Sequence, residues 1–379
     1  MKMIVLHTRL SGYLAACLRE FKARTGAELL IYCWPNQADA PFDASLFADL
    51  GEIRNRREHA DAEIEAAVRA FQPAAILTSG WADKGYVNIC RALRKQGVPV
   101  IAGCDTQWAG SLRQHLASWT APWHVRQAID VLWVTGERQA VLGRALGFRG
   151  ERLWHGYYAC DWGRFAAVNA EKLKTEKLKE TVSGPQDFNV SECSPTSISA
   201  SQHFSVSAFL PSFLYVGRYA PEKGLDTLAS AYRIYCEKVE HPWRLVCAGA
   251  GPLRDTLIGA GAEDLGFIQP GDLPALMHSA SAFILPSRFE PWGVVAHEAA
   301  ASGLPLICSD ACGAGVHLLR NHFNGYCFPA GDAAALADTM TRMTQMDADS
   351  REAFGEASFQ LSKQYTPERW AETLVTALR

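Results

Sequence analysis

Three shortages bound this 379-residue chain before any motif is read. It has no run approaching the roughly 20 apolar residues that a membrane-spanning helix needs. Its opening stretch, MKMIVLHTRLSGY, is too short in apolar residues for a secretory leader and reads as a first strand. It has no excess of one charge: 37 Lys and Arg face 40 Asp and Glu, a net of −3. A nucleic-acid binder would concentrate basic residues instead, so no nucleic-acid partner is expected. Eleven cysteines are present, an odd count, and none forms a CxxC pair, which fits reduced thiols better than a disulfide framework. Cys17, Cys90, Cys247 and Cys308 sit inside apolar runs, where a reduced thiol acts as a small hydrophobe. This pattern predicts a cytoplasmic protein, at most peripheral at a membrane surface.

The charge is unevenly split. Residues 1–165 carry 20 basic against 16 acidic residues, and the remainder 17 against 24. A mildly basic first half suits contact with phosphate-bearing acceptors or an anionic bilayer, although a solvated surface accounts for the same asymmetry.

Short apolar runs alternate with amphipathic stretches, the signature of parallel α/β units. In the first half, strands are expected at Met3–Leu6, Glu28–Cys33, Ala74–Thr78, Val98–Ala102, Val131–Thr135 and Arg152–Trp154. From about residue 167 to 211 the alternation stops at a Lys/Glu run and a Ser-rich stretch, whose composition cannot bury enough apolar surface to fold alone. It resumes at Phe213–Val216, Arg244–Ala248, Asp264–Ile268, Ala282–Pro286 and Pro305–Ser309. The expectation is an α/β chain of two Rossmann-like domains facing each other across a cleft. Their limits are 1–165 and 212–364, with a flexible low-complexity linker at 166–211 and a final helix at 365–379 that packs back toward the first domain.

Chemistry concentrates in the second half. In PSRFEPWGVVAHEAAASGLP (286–305), Glu290 falls at a strand end, where open α/β sheets hold ligands. Gly293 lets backbone approach a diphosphate at a helix N-terminus, and Glu298 lies inside that helix. In YVGRYAPEKGLDTL (215–228), Gly217 opens a turn carrying Arg218 and Lys223, two cations suited to a diphosphate. CAGAGPLRDTL (247–257) places Gly251 in a glycine-rich turn at another strand end, a weak signal alone.

These blocks, with LGFIQPGDLPALMHSASAFIL (265–285) leading into the 286–305 segment and NGYCFPAGDAAALADTM after it, resemble consecutive motifs of the family 4 retaining glycosyltransferases, the group 1 glycosyl transferases of GT-B fold. The resemblance implies transfer of a sugar from a nucleotide diphosphate donor to a hydroxyl acceptor of unknown class. It implies that Arg218 and Lys223 neutralise the diphosphate, that Glu290 holds the sugar hydroxyls with Trp292, Gly293 and Val294 nearby, that Glu298 binds the ribose, and that Phe267 and Ile268 line the base. No metal and no cofactor beyond the donor is expected, since two cations perform the electrostatic task.

The first half says less. Gly12, alone in HTRLSGYLAACL, resembles the family's phosphate-facing turn loosely and fits a routine strand–helix turn equally well. Asp105 stands where relatives commonly keep a His or Asp facing the sugar; a helix cap is its ordinary alternative. His7 and His155 read as structural. Trp108, Trp119, Trp123 and Trp133, with Arg113 and Arg126 among them, suit core, an acceptor platform or a membrane-facing patch. Asp347-Ala-Asp349 lies in a helical tail and is set aside as a metal motif. Two rival activities fit the same fold: a nucleotide-sugar epimerase, and a non-catalytic nucleotide-sugar-binding subunit.

Overall fold

The computed structural model describes residues 1–35, 42–167 and 211–378; most of the expected linker, 168–210, lies outside them. Two all-parallel sheets organise the chain. The first runs β3-β2-β1-β4-β5-β6-β7, with β1 Lys2–His7, β2 Glu28–Cys33, β3 Glu52–Asn55, β4 Ala75–Thr78, β5 Val100–Cys104, β6 Val131–Val134 and β7 Leu153–His155. The second runs β10-β9-β8-β11-β12-β13, with β8 Ser212–Val216, β9 Arg244–Ala248, β10 Glu263–Asp264, β11 Ala282–Leu285, β12 Leu306–Ser309 and β13 Gly325–Phe328.

Helices cover both faces of the first sheet: α1 Gly12–Thr25, α2 Asp61–Phe71, α3 Lys84–Arg94, α4 Leu112–Thr120, α5 Val125–Ala128 and α6 Glu137–Ala145. The second half adds α7 Leu225–Lys238, α8 Arg254–Ile258, α9 Leu273–Ser279, α10 Val294–Ala301 and α11 Gly315–Leu318. Three more helices, α12 Ala333–Gln345, α13 Ala348–Ser362 and α14 Pro367–Ala377, close the chain. Parallel central strands are buried on both faces, so β1 reads KMIVLH with only Lys2 exposed. Each fully buried aliphatic side chain there stabilises the sheet by about 1.5–3 kcal/mol.

Caps set several helix starts. Ser11 Oγ accepts from Leu14 N at 3.3 Å and opens α1, and Asp83 Oδ1 accepts from Tyr86 N at the start of α3. Asp347 is likewise a cap: its carboxylate accepts from Ser350 N at 2.7 Å, which gives the Asp-Ala-Asp stretch a structural task.

Strand limits differ from expectation where side chains override pattern. β10 stops at Asp264 because that carboxylate turns the chain, accepting from Gly266 N, Tyr219 Oη and Arg254 Nε. β5 starts at Val100, after Pro99, which has no N–H to offer a ladder. β3, with the sequence EIRN, carries no apolar run because it is an exposed edge strand.

Each sheet changes direction once, between β1 and β4 and between β8 and β11, and ligands of open α/β sheets bind at the strand ends beside such a switch. The chain crosses between the halves twice. Trp370 of α14 stacks on Trp133 of β6, with ring centroids 4.8 Å apart, and donates from its indole to Tyr157 O at 2.9 Å.

Candidate active site

Both switch points open on one cavity of about 400 Å3. Its first-half wall comes from the β1–α1 turn (Arg9, Ser11, Gly12 and Tyr13), from Asp105 after β5, and from Tyr158 and Asp161. Its second-half wall comes from Gly217, Arg218 and Lys223 after β8, and from Glu290, Trp292, Gly293, Val294 and Glu298 around the start of α10. Ten of the thirteen residues singled out in the sequence therefore line one space. Gly251, Phe267 and Ile268 lie outside that lining. Gly251 is pressed against the backbone of Tyr219, where an added Cβ would stand 2.6 Å from the Tyr219 carbonyl oxygen. Ile268 packs on the second core. Phe267 meets Phe42, a cavity-lining residue of the first half, edge to face at 6.1 Å.

The second-half wall is the more built. Lys223 Nζ donates to Glu290 Oε2 at 2.5 Å, and Ser287 Oγ donates to the same oxygen at 3.0 Å. Glu290 is buried, and Oε1 accepts no hydrogen bond among the described residues. A buried carboxylate with one satisfied oxygen is poised to take hydroxyl donors on the other. Arg218 pairs with Glu222 at 2.8 Å, and its carbonyl accepts from Tyr215 Oη, which pins the turn that carries it.

Gly293 caps α10 in the left-handed region at φ 93°. A Cβ there would stand 3.0 Å from both Glu290 Cγ and Leu285 Cδ2, so glycine is required for turn and fit alike. The first N–H groups of α10 lack intrahelical acceptors and face the cavity end of the helix.

Glu298, one turn into α10, is held unlike an ordinary carboxylate. Desolvation, reinforced by the negative charge of Asp161, pushes its carboxyl up to about 7. Burial also raises Asp161. Neighbouring His297 is fully buried: Nδ1 accepts from Cys160 N at 3.1 Å, so Nε2 carries the proton and donates to Ser362 O at 2.9 Å. Burial lowers its basicity to about 4, which keeps it neutral. This one side chain ties α10 to both places where the chain passes between the domains.

On the first-half wall, Asp105 is exposed and accepts from Tyr158 Oη at 3.0 Å. Tyr158 itself meets Tyr13 edge to face at 4.9 Å. The halves are in contact beside it. Gln139 Nε2 donates to Pro291 O at 2.6 Å and to Asp105 O at 3.2 Å, and Glu137 N donates to His317 Nε2 at 3.2 Å. Gly136 makes this approach possible, since a Cβ there would lie 2.6 Å from both His317 Nε2 and Trp292 Cζ3.

Sequence reasoning missed Tyr158, Asp161 and His297, because HGYYACDW carries no motif spacing and His297 sits unmarked beside Glu298. His7 is buried, with Nε2 against Tyr157 Oη at 3.0 Å, in keeping with a structural role. The tryptophan cluster divides. Trp133 is core, whereas Trp119 and Trp123 are 69% and 58% exposed. Among the described residues, no group of three or more His, Cys, Asp or Glu is arranged to hold a metal ion, and no helix is long and apolar enough to cross a membrane.

Comparison with known proteins bears on the second half of the chain. Residues 210–361 match the model of glycosyl transferases group 1. Over those residues the chain is similar to the group 1 glycosyltransferases. The glycosyltransferase match falls on the half that carries Arg218, Lys223, Glu290 and Glu298. Among curated relatives, glycogen synthase of Mycobacterium tuberculosis is 37% identical over 140 residues, 34% of this chain and 33% of that protein. Phosphatidyl-myo-inositol mannosyltransferase of Mycobacterium leprae is 30% identical over 212 residues, 54% of this chain and 55% of that protein. The chain thus spans about a third to a half of the length of these curated relatives. Among solved structures, Anabaena HepE in complex with UDP superposes with a TM-score of 0.72 at 16% identity, covering 100% of this chain and 99% of that one. Sucrose-phosphate synthase from Thermosynechococcus elongatus gives 0.68 at 17% identity, covering 100% and 98%. At these identities the likeness shows the fold, which is GT-B: two Rossmann-like domains across a cleft.

Proposed function

We propose that this protein is a glycosyltransferase that moves a sugar from a nucleoside-diphosphate donor to a hydroxyl acceptor with retention at the anomeric carbon. The observation that carries the reading is the Lys223–Glu290 pair, set with Arg218 and the α10 N-terminus in one cavity opposite Asp105. A diphosphate entering there displaces Glu290 from Lys223. It takes Lys223 as a point charge, Arg218 as a two-pronged donor, and the N–H groups of α10 and of the Gly12 turn. Glu290 then turns to the sugar hydroxyls, Glu298 to the ribose, and the base lies toward Phe267 and Ile268. HepE was solved with UDP, with UDP and glucose, and with UDP-glucose, which supports a nucleotide-sugar ligand for this fold and makes UDP-sugars the first to try.

In the transfer step, the bond from the anomeric carbon to the β-phosphate oxygen breaks as the acceptor oxygen bonds to the same face. The acceptor proton passes to the departing phosphate oxygen. Arg218 and Lys223 stabilise the charge that builds on the leaving diphosphate, and they do so without a metal. Asp105, held by Tyr158, stabilises positive charge on the sugar or orients the acceptor hydroxyl. The Gln139–Pro291 and Glu137–His317 contacts hold the domains together over the donor and limit hydrolysis.

The test is turnover of UDP-, GDP- and ADP-sugars with a panel of glycan, lipid-linked and small-molecule acceptors, with product configuration read by NMR. Product of unchanged anomeric configuration is expected. Epimerised donor formed without acceptor, or binding with no turnover on any acceptor, contradicts the proposal.

A further inference from the structure

Helix α4 buries none of its residues. Leu112, Leu116 and Trp119 recur at the spacing of one helical face, and Trp123 extends that face past its end. They are 89%, 61%, 69% and 58% exposed, and the rings of Trp119 and Trp123 meet edge to face at 5.9 Å. Apolar side chains grouped this densely on a surface mark an interaction site.

The surroundings select the partner. From Lys84 to Asp130 the chain holds six Lys or Arg against Asp105 and Asp130, and Asp130 is paired with Arg94 at 2.6 Å, which leaves Lys84, Arg91, Lys95, Arg113 and Arg126 against Asp105. A groove of about 320 Å3 between α3 and α5, next to Trp123, is lined by Lys84, Arg91 and His124 among apolar side chains. Nearby, Nε of Arg91 and Nε of Arg126 are buried without a hydrogen-bond partner. A protein partner that buries this patch would need matching acids. A bilayer supplies acyl chains for the leucines, an interfacial layer for the tryptophans and anionic headgroups for the basic collar at once.

We infer that the α4–Trp123 face docks on an anionic phospholipid bilayer, with headgroup phosphate in the Lys84–Arg91–His124 groove. The patch hangs from the site itself. Only residues 106–111 separate Asp105 from α4, and Gln114 ties the helix to that loop by donating to Gln107 O at 2.8 Å and accepting from Ala109 N at 2.7 Å. Docking thus sets the acceptor side of the cleft at the membrane surface. That last consequence rests on the proposed transfer; the docking does not.

Flotation with vesicles tests it, comparing pure phosphatidylcholine with phosphatidylcholine containing about 30 mol% phosphatidylglycerol. The full chain is expected to float with the anionic vesicles only, and less in high salt. Leu116→Ser with Trp119→Ser should weaken partition by at least about tenfold, and Lys84→Glu by about fivefold. Melting temperature and nucleoside-diphosphate binding should stay at wild-type values, since these side chains touch neither core nor cleft. Equal binding to both vesicles, no binding, or a dimer that the Leu116/Trp119 variant abolishes would overturn the inference. Loss of nucleotide binding in the wild type would instead count against the proposed function.

Discussion

Replacing Glu298 by Gln should make the protein more stable while making it a worse donor binder. The carboxyl is raised from its ordinary 4.5 to about 7 by burial and by Asp161, so the folded state binds more protons than the unfolded state between those values. For a group raised in this way, stability is lost as pH rises through the window and is least above the folded value. At 1.36 kcal/mol per pH unit, the gap amounts to about 3.4 kcal/mol for a carboxylate sealed from water. Glu298 is half-buried against the cavity. Solvent there reduces the effect by roughly half, to about 1.5 kcal/mol. Glu298→Gln keeps the shape and removes the charge, so its melting temperature should exceed that of wild type by about 3–6 °C at pH 8. The difference should shrink as pH falls toward 5.

The raw pH profile of wild type does not suffice. His7 and His297, both lowered to about 4 by burial, act with opposite sign: their contribution is present above 6.5 and is lost as pH falls toward 4. The difference between variant and wild type by scanning fluorimetry, at pH 5, 6, 7 and 8, isolates Glu298. A variant that melts no higher than wild type at pH 8, or a difference that does not change with pH, refutes the reasoning.

Other substitutions probe the remaining parts. His297→Ala leaves the N–H of Cys160 and the carbonyl of Ser362 buried without their partner, so urea unfolding should show a loss of about 2–4 kcal/mol. Gly136→Ala drives a Cβ into His317 and Trp292. It should reduce kcat by about tenfold or more through the domain contact, with an unchanged circular-dichroism spectrum as the control. Asp105→Asn should lower kcat while donor Kd, measured by calorimetry, moves less than about threefold, because Asp105 stands on the acceptor wall.

Much of the fold was legible because parallel strands buried on both faces announce themselves as apolar runs, as β1, β8 and β11 do. Edge strand β3 was not, since EIRN has nothing to bury. Donor-side residues were legible for a related reason. Lys223, Glu290, Gly293 and Glu298 follow directly on strand ends, so short-range spacing already fixes where they project. Tyr158 reaches Asp105 across 53 residues, His297 reaches Cys160 across 137 and Ser362 across 65, and Glu298 meets the charge of Asp161 from the other domain; no local pattern encodes such contacts. The stretch 264–268 illustrates the opposite case: its apolar run suggested a strand through Ile268, but Asp264 turns the chain first.

The central claim is that Arg218, Lys223 and the α10 N-terminus hold a nucleoside diphosphate. Calorimetric titration of the wild type and of an Arg218→Ala/Lys223→Ala variant with UDP, GDP and ADP tests it most directly. The account predicts that one of the three binds the wild type and that the variant loses at least about 100-fold in affinity, as expected when two charged hydrogen-bonding groups are removed. Failure of all three nucleotides to bind, or equal affinity in the variant, would contradict it.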